Sequence, residues 1–395
     1  MTRFGPSGLR WDVIVIGAGP AGASAAVRLA DGGRRVLLVD RCGMPRPKVC
    51  GCCLSHVAVN ELLAIGLPPD RLGGIPRTSV RLVAASREAV LPLPGWTLSR
   101  ESLDAAIVRR AIAAGASWLP STPVSAIEDT AAGVSVHALD PDGRPLRFEA
   151  VHAIVATGLA AGVRIRSDGG DVPRERSRSG SRIGVGATLP ADSATVADGE
   201  LDMHASADGY CGIVRLEDGR IDVAAAMNAS AFRRHASAVA AVAAVLGRRR
   251  QAFMDLAGPA CRFVGTPRLT RFQPAVVGRW RRIHRIGDAA AYVEPFTGEG
   301  IGWALVGARS IAEAMLAHPP TDGPATASAI ADAHERSIAR RLAGPRRRCL
   351  RVASAVRHPS IVSTAVAAAR LVPSAAAWAM PLVVGRDHAF RRPLP

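Results

Sequence analysis

Val13-Ile14-Val15-Ile16-Gly17-Ala18-Gly19-Pro20-Ala21-Gly22 is a β-branched run that ends in a turn carrying three glycines. A strand of this kind, apolar on both faces, is buried in a parallel sheet. Pro20 to Leu29 reads as the helix that follows, and Val36-Leu37-Leu38-Val39 as a second buried strand closed by Asp40. Together they make a βαβ unit of about 30 residues. In G-x-G-x-x-G the first glycine (Gly17) permits the tight turn. The second (Gly19) lets the backbone approach a pyrophosphate, and the third (Gly22) lets helix and strand pack closely. Asp40 stands where a carboxylate accepts from an adenosine ribose hydroxyl.

The rest of the composition agrees with an α/β protein. The chain has 395 residues, 48% of them apolar but only 4% aromatic, so its core is built from small aliphatic side chains. The formal charge of +17 comes almost wholly from arginine, Lys48 being the one lysine. The basic runs Arg248-Arg249-Arg250, Arg279-Trp280-Arg281-Arg282 and Arg346-Arg347-Arg348 are expected to be solvated faces; an anionic membrane surface or an anionic cofactor is the next reading. Nucleic acid is not expected, because no recognised binding motif accompanies the charge. Met1 to Trp11 holds no apolar run, so neither a signal nor a transit peptide is expected, and the expected location is cytoplasmic. Seven cysteines then read as thiols. Ile361 to Gly385 is apolar but interrupted by Arg370, Pro373 and Pro381, which leaves no run of about 20 residues to span a bilayer.

Further along, Ser55 is placed to cap a helix through Leu63. Arg77 to Leu93 reads as two strands, and Arg100 to Ala114 as a helix with Leu103, Ile107 and Ile112 on one face. Strands are expected at 124–127, 134–139, 146–149 and 154–156, an aperiodic connection at 164–181, and an antiparallel sheet from 183–189, 210–216 and 221–227. Ala231 to Leu246 and Gly298 to Leu316 read as helices, and the remaining C-terminus as Ala- and Arg-rich helix.

NAD and FAD share the N-terminal fingerprint, so a second feature must choose between them. Ile283-His284-Arg285-Ile286-Gly287-Asp288 followed by Glu294-Pro295-Phe296-Thr297-Gly298-Glu299-Gly300-Ile301 reads as strand, Gly-Asp turn and glycine-rich helix start. A carboxylate at Asp288 can hold a ribityl hydroxyl, and the helix N-terminus can face a flavin pyrimidine ring. With "DVIVIGAGPAGASAA", "SRESLDAAIVRRAIAAGA" and "RIGDAAAYVEPFTGEGIGWAL" in this order, residues 12 to about 318 resemble the FAD-dependent oxidoreductases of the aromatic-hydroxylase type, and within them the geranylgeranyl reductase-like branch. The resemblance implies that Gly17, Gly19, Pro20, Ala21, Gly22, Asp40 and Arg41 hold the adenosine diphosphate half and that Arg100 lies against the cofactor. It also implies that Gly158, in "ATG", closes over the cofactor, that Gly287 and Asp288 meet the ribityl chain, and that Pro295, Gly298, Gly300 and Ile301 line the isoalloxazine.

The expected fold is thus α/β: a Rossmann-like FAD-binding domain of the aromatic-hydroxylase/glutathione-reductase type, an inserted antiparallel-sheet substrate domain and a helical C-terminus. The FAD-binding part is expected from 1–75, 99–175 and 265–320, the substrate domain from 76–98 and 176–264, and the helical region from 321–395. No second G-x-G-x-x-G unit follows, so NAD(P)H is expected as a transient electron donor without a Rossmann domain of its own.

Pro47-Lys48-Val49-Cys50-Gly51-Cys52-Cys53 remains to be explained. It has no downstream C-x-x-C partner for a metal, and adjacent cysteines bridge only with strain. The family resemblance places Lys48, Cys50 and Gly51 on a flavin-side loop. Cys50 and Lys48 are therefore the candidate catalytic pair, Cys50 as proton donor or redox thiol, while Cys52 and Cys53 read as inert packing. Two functions stay open: reduction of C=C bonds in a lipophilic, isoprenoid- or polyketide-like substrate, with peripheral membrane contact, or monooxygenation of an aromatic or polyketide substrate.

Overall fold

The computed structural model describes residues 10–130, 132–159, 163–167, 170–171, 176–178, 180–191, 196–258, 261–272, 281–294, 296–320 and 323–385. Pro295, Arg279 and Trp280 lie outside them. The strand Trp11–Ile16 runs at the centre of a nine-stranded sheet, parallel to Val36–Val39 on one side and Pro145–Val155 on the other. Ser117–Leu119 extends the parallel set beyond Val36–Val39, and Ile283–Arg285 pairs parallel with Pro145–Val155. Gly133–Leu139 and Val124–Thr130 continue the sheet antiparallel.

The helices are α1 Pro20–Asp31, α2 His56–Leu63, α3 Arg100–Ala113, α4 Ala229–Phe232, α5 Ala238–Leu246, α6 Arg250–Ala257, α7 Gly300–Leu316, α8 Pro324–Ala355, α9 Pro359–Leu371 and α10 Pro373–Val384. α1 packs between α3 and α7 over the parallel strands. Gly17 turns at φ 103°, and a Cβ on it would stand 2.4 Å from the Ala156 carbonyl oxygen; one on Gly22 would stand 1.8 Å from the Gly17 oxygen. The glycines therefore fix how closely α1 lies on the sheet.

A second, eight-stranded sheet draws its strands from two stretches of chain. Its order is Val264–Arg268, Ile183–Leu189, Ile221–Met227, Gly209–Arg215, Glu200–Ala205, Ile75–Ala84, Arg87–Thr97 and Cys53–Leu54. It is antiparallel except where Glu200–Ala205 runs parallel to Ile75–Ala84, which corrects the expectation of a purely antiparallel sheet. The pairing joins strands far apart in sequence, and no local pattern encodes its direction. α8, α9 and α10 carry the C-terminus, α9 packing on Arg87–Thr97. Among the described residues no helix is long and apolar enough to cross a membrane.

Several local expectations need correction. The helix read from Ala231 to Leu246 is two helices, because Ser237 is extended and its hydroxyl accepts from Ala240 N–H to start α5. Ile112 is exposed, since Leu103, Ile107 and Ala111 make the buried stripe and a residue five places after Ile107 falls off it. The strands read at 146–149 and 154–156 are one, Pro145–Val155. The stretch 164–181 contributes short strands at Arg164–Ser167, Gly170–Asp171 and Arg176–Ser177. The basic runs are not simply solvated: Arg282 is buried and donates to the Thr130 carbonyl, Arg249 pairs with Asp202 at 2.9 Å, and Arg348 with Glu299 at 3.1 Å.

Gly22→Ala is expected to cost about 2–3 kcal/mol or more, because the new methyl meets backbone rather than a side chain that can move. Urea denaturation of the variant checks this; an unchanged midpoint would contradict the close α1 contact.

Candidate active site

The glycine turn, the cysteine loop and the start of α7 open on one cavity of about 1340 Å³. Drug-sized ligands occupy roughly 300–1,000 Å³. This cavity has room for more than one molecule, and its two ends differ in chemistry.

At the polar end, Gly19 caps α1 with no side-chain hydrogen bond, and Gly19, Pro20 and Ala21 line the cavity, which places the helix N-terminus at its wall. A Cβ at Gly19 would stand 3.7 Å from Arg100 Nη2 and 3.9 Å from Lys48 Nζ, and one at Gly158 3.4 Å from Lys48 Nζ. Two cations and a helix N-terminus thus converge on open space, an arrangement suited to a pyrophosphate. Lys48 reaches into the cavity lumen while protein surrounds it, and Arg100 foremost, then burial, lowers its pKa. Asp40 is buried; it accepts from Ala18 N–H at 2.7 Å and Cys42 N–H at 3.0 Å, and pairs with Arg46 at 3.1 Å. A carboxylate has about four acceptor sites, so Asp40 keeps one beyond these three contacts. Pro20, Ala21 and Arg41 line the same end, as do Asp288, Gly298, Gly300 and Ile301 from the far part of the chain. Gly287 stands behind them, where a Cβ would lie 2.9 Å from Ala21 Cβ. Burial raises the Asp288 carboxyl, with Lys48 and Arg100 opposing.

The cysteine loop crosses between the two sheets. Cys53–Leu54 pairs with Trp96–Thr97 at the edge of the second sheet, and Leu98 N–H donates to the Cys52 carbonyl at 3.0 Å. Cys52 holds a left-handed backbone, φ 50°, which a non-glycine residue keeps only when its surroundings fix it. That turn brings its thiol against Cys50. The hydrogen bond from Cys52 foremost, then the charge and hydrogen bond of Arg100, draw the Cys50 thiol down to about 5 against the effect of burial. Cys52 is pushed well above the usual thiol range by donating to Cys50, then by burial and by Asp222. Asp222, buried on the strand behind, hydrogen-bonds Cys52, and burial foremost holds its carboxyl well above the usual range. Arg100 is itself held by Asp104 through two bonds, 2.8 and 2.7 Å.

The sequence reading missed Cys52 and Asp222. Cys52 is a hydrogen-bonding partner of Cys50 rather than inert packing. Asp222 carries a signal that could have found it: a lone carboxylate in the otherwise apolar strand Ile221–Met227 must have a buried partner.

Past the cysteine loop the cavity becomes apolar. The second sheet supplies Val80, Leu82, Leu91, Leu201, Met203 and Tyr210 on one side; α8, α9 and α10 supply Val356, Val362, Val366, Ala376, Met380 and Val383 on the other. Tyr292 and Phe296 stand between the two ends.

A turn of three glycines under a helix N-terminus, with a remote Gly-Asp turn completing the cavity, defines a dinucleotide-binding oxidoreductase. Residues 11–174 match the family described as Pyridine nucleotide-disulphide oxidoreductase. The chain is 30% identical over 362 residues to "Menaquinone reductase" of Mycolicibacterium smegmatis, covering 85% of this chain and 84% of that one. It is 29% identical over 160 residues to "Geranylgeranyl diphosphate reductase" of Rhodobacter capsulatus, 40% of this chain and 39% of that one. The fold is that of the flavin-dependent brominase Bmp2 triple mutant, with a TM-score of 0.74 at 15% identity over 97% of this chain and 96% of that one. The chain is an FAD-dependent oxidoreductase and belongs to the geranylgeranyl reductase-like branch of that superfamily. The glycine cradle and its facing cations fit FAD.

Two measurements test the polar end. Iodoacetamide should alkylate Cys50 at pH 6, with the rate falling only as pH drops through about 5 and the thiolate is protonated. Cys52→Ala should move that fall upward, and peptide mapping that finds Cys50 no faster than Cys42 at pH 6 would contradict the assignment. Asp288→Ala is expected to weaken FAD retention about tenfold through loss of a charged hydrogen bond. Equal flavin content after gel filtration would remove Asp288 from the cofactor site.

Proposed function

We propose that the protein reduces C=C bonds of a lipophilic, isoprenoid- or polyketide-like substrate, with NAD(P)H as the transient source of electrons. The observation that carries this reading is a single cavity in which a cationic, glycine-walled end meets an apolar lumen at the Cys50 loop. The names of the relatives, a menaquinone reductase and a geranylgeranyl diphosphate reductase, support it. Such substrates partition into bilayers, so the reading includes peripheral contact with a membrane surface.

Bound FAD supplies hydride transfer. Gly17, Gly19 and Gly22, with Lys48, Arg100 and Asp40, bind and orient the dinucleotide; Asp288, Gly298, Gly300 and Ile301 hold its reacting end toward the lumen. The lumen excludes water and aligns the substrate chain. Cys50 delivers the proton to the substrate carbon. At pH 7 a thiol near 5 is protonated only about one time in a hundred, so Cys50 Sγ takes up a proton from solvent before each transfer, while Cys52 keeps its own and holds the thiolate in place. A thiol this acidic then gives the proton up readily.

The test is NAD(P)H oxidation in air and under argon with menaquinone as the first substrate. Turnover under argon, with a product that stays two hydrogens heavier after any quinol is reoxidised to the quinone, is expected. Strict oxygen dependence, with one O₂ consumed per product, would overturn the reading in favour of a monooxygenase. Cys50→Ser should keep its FAD and lose about 10²-fold in kcat; an unchanged rate would leave Cys50 as packing.

A further inference from the structure

α9 and α10 meet at Val372-Pro373, with one side of the pair turned to the lumen and the other to solvent. The inner faces, Val366 and Ala369 on α9 and Met380 and Val383 on α10, close the lumen. The outer side carries Leu371 (81% exposed), Trp378 (80%), Leu382 (63%) and Val372 (52%). Large apolar side chains gathered at such exposure on one helix pair mark a contact surface. Leu371 and Val372 also line the cavity, so the lumen opens at this corner.

Charge decides the partner. From residue 336 to 385 the sequence contains nine arginines and no aspartate or glutamate. Arg348 and Arg357 are committed inward to Glu299 and Glu294, and Arg341 pairs with Glu313 at the surface. Arg336, Arg340, Arg347 and Arg351 are exposed, and their spacing of four, seven and four places them in one stripe along α8. Arg370 is exposed beside Leu371. An apolar patch with an interfacial tryptophan in a wholly basic segment is complementary to an anionic lipid surface.

We propose that the α9–α10 corner docks on an anionic phospholipid bilayer and that the lumen takes its substrate there, directly from the acyl phase. The docking stands on the surface alone; the route of the substrate rests on the function proposed above.

Flotation of the full chain with phosphatidylcholine vesicles, with and without phosphatidylglycerol, tests the docking. The protein should float with the anionic vesicles, less so as salt is raised, and the Trp378→Ser, Leu382→Ser variant should bind about tenfold more weakly with its thermal melt unchanged. No flotation with anionic vesicles would overturn the proposal. So would a wild-type dimer in sedimentation that the double variant dissolves, because the patch would then be covered by a second copy. Turnover of a long-chain quinone embedded in vesicles is compared with that of a short-chain quinone in solution. Loss of the first only in the variant supports the route from the bilayer. Equal loss of both overturns the route while docking stands on flotation. Turnover of neither by the wild type sinks the proposed reaction, and flotation still decides the docking.

Discussion

The structure turns on a buried carboxylate. Glu294 is fully shielded from water and is held by Arg182 at 2.7 Å and Arg357 at 2.9 Å. Arg182 leads into a strand of the second sheet, Arg357 follows α8, and Glu294 opens the loop that carries Gly298 and Gly300 to the cavity. One charge cluster therefore joins the second sheet, the C-terminal helices and the loop at the head of α7. Buried charges are tolerated only when each has its partner, and removing one member typically costs about 3–5 kcal/mol. The cluster has little freedom to rearrange. The Arg182 guanidinium lies 5.4 Å from the Tyr210 ring centre, and Tyr210 meets Phe296 edge-on, so aromatic packing narrows the choice further. The junction between the polar and apolar ends of the cavity is set by these contacts.

Electrostatics at the cysteine loop follows from that rigidity. Arg100 is fixed by Asp104 and cannot swing away from Cys50. A thiolate, two thiols and a carboxyl meet at the cavity wall, with Cys50 and Cys53 half-buried and Cys52 and Asp222 buried, and the interactions of Cys52 with Cys50 and Asp222 rank them: Cys50 gives up its proton first, while Cys52 and Asp222 keep theirs. The arrangement needs Cys52 in its left-handed backbone, and the edge pairing of Cys53–Leu54 with Trp96–Thr97 supplies the restraint.

The parts legible in the sequence were those whose causes are local. A β-branched run ending at Gly17, a proline at the first position of α1 and an acid closing the second strand are each a local rule, and together they specified the parallel core. Ser55 was read correctly as a cap for the same reason. The parallel pairing of Glu200–Ala205 with Ile75–Ala84 was not legible, because nothing within either strand encodes a partner more than a hundred residues away. Arg282 looked like surface in a run of arginines; its burial depends on Asp129 and Thr130, which only the folded sheet brings near it. Cys52 failed similarly: its importance comes from Asp222, 170 positions further on.

Between its larger apolar side chains the lumen wall carries many of the smallest. Gly184, Gly212, Ala224 and Ala226 face it from the sheet, and Ala365, Ala369, Ala375 and Ala379 from the helices. Where the wall ends in a methyl group or a hydrogen, the bore is set by single codons: one alanine exchanged for leucine fills several ångströms without touching the backbone or the charged end. The width of the lumen and the charge of the polar end are thus set by separate residues, and a lineage carrying this scaffold can alter the one while leaving the other in place.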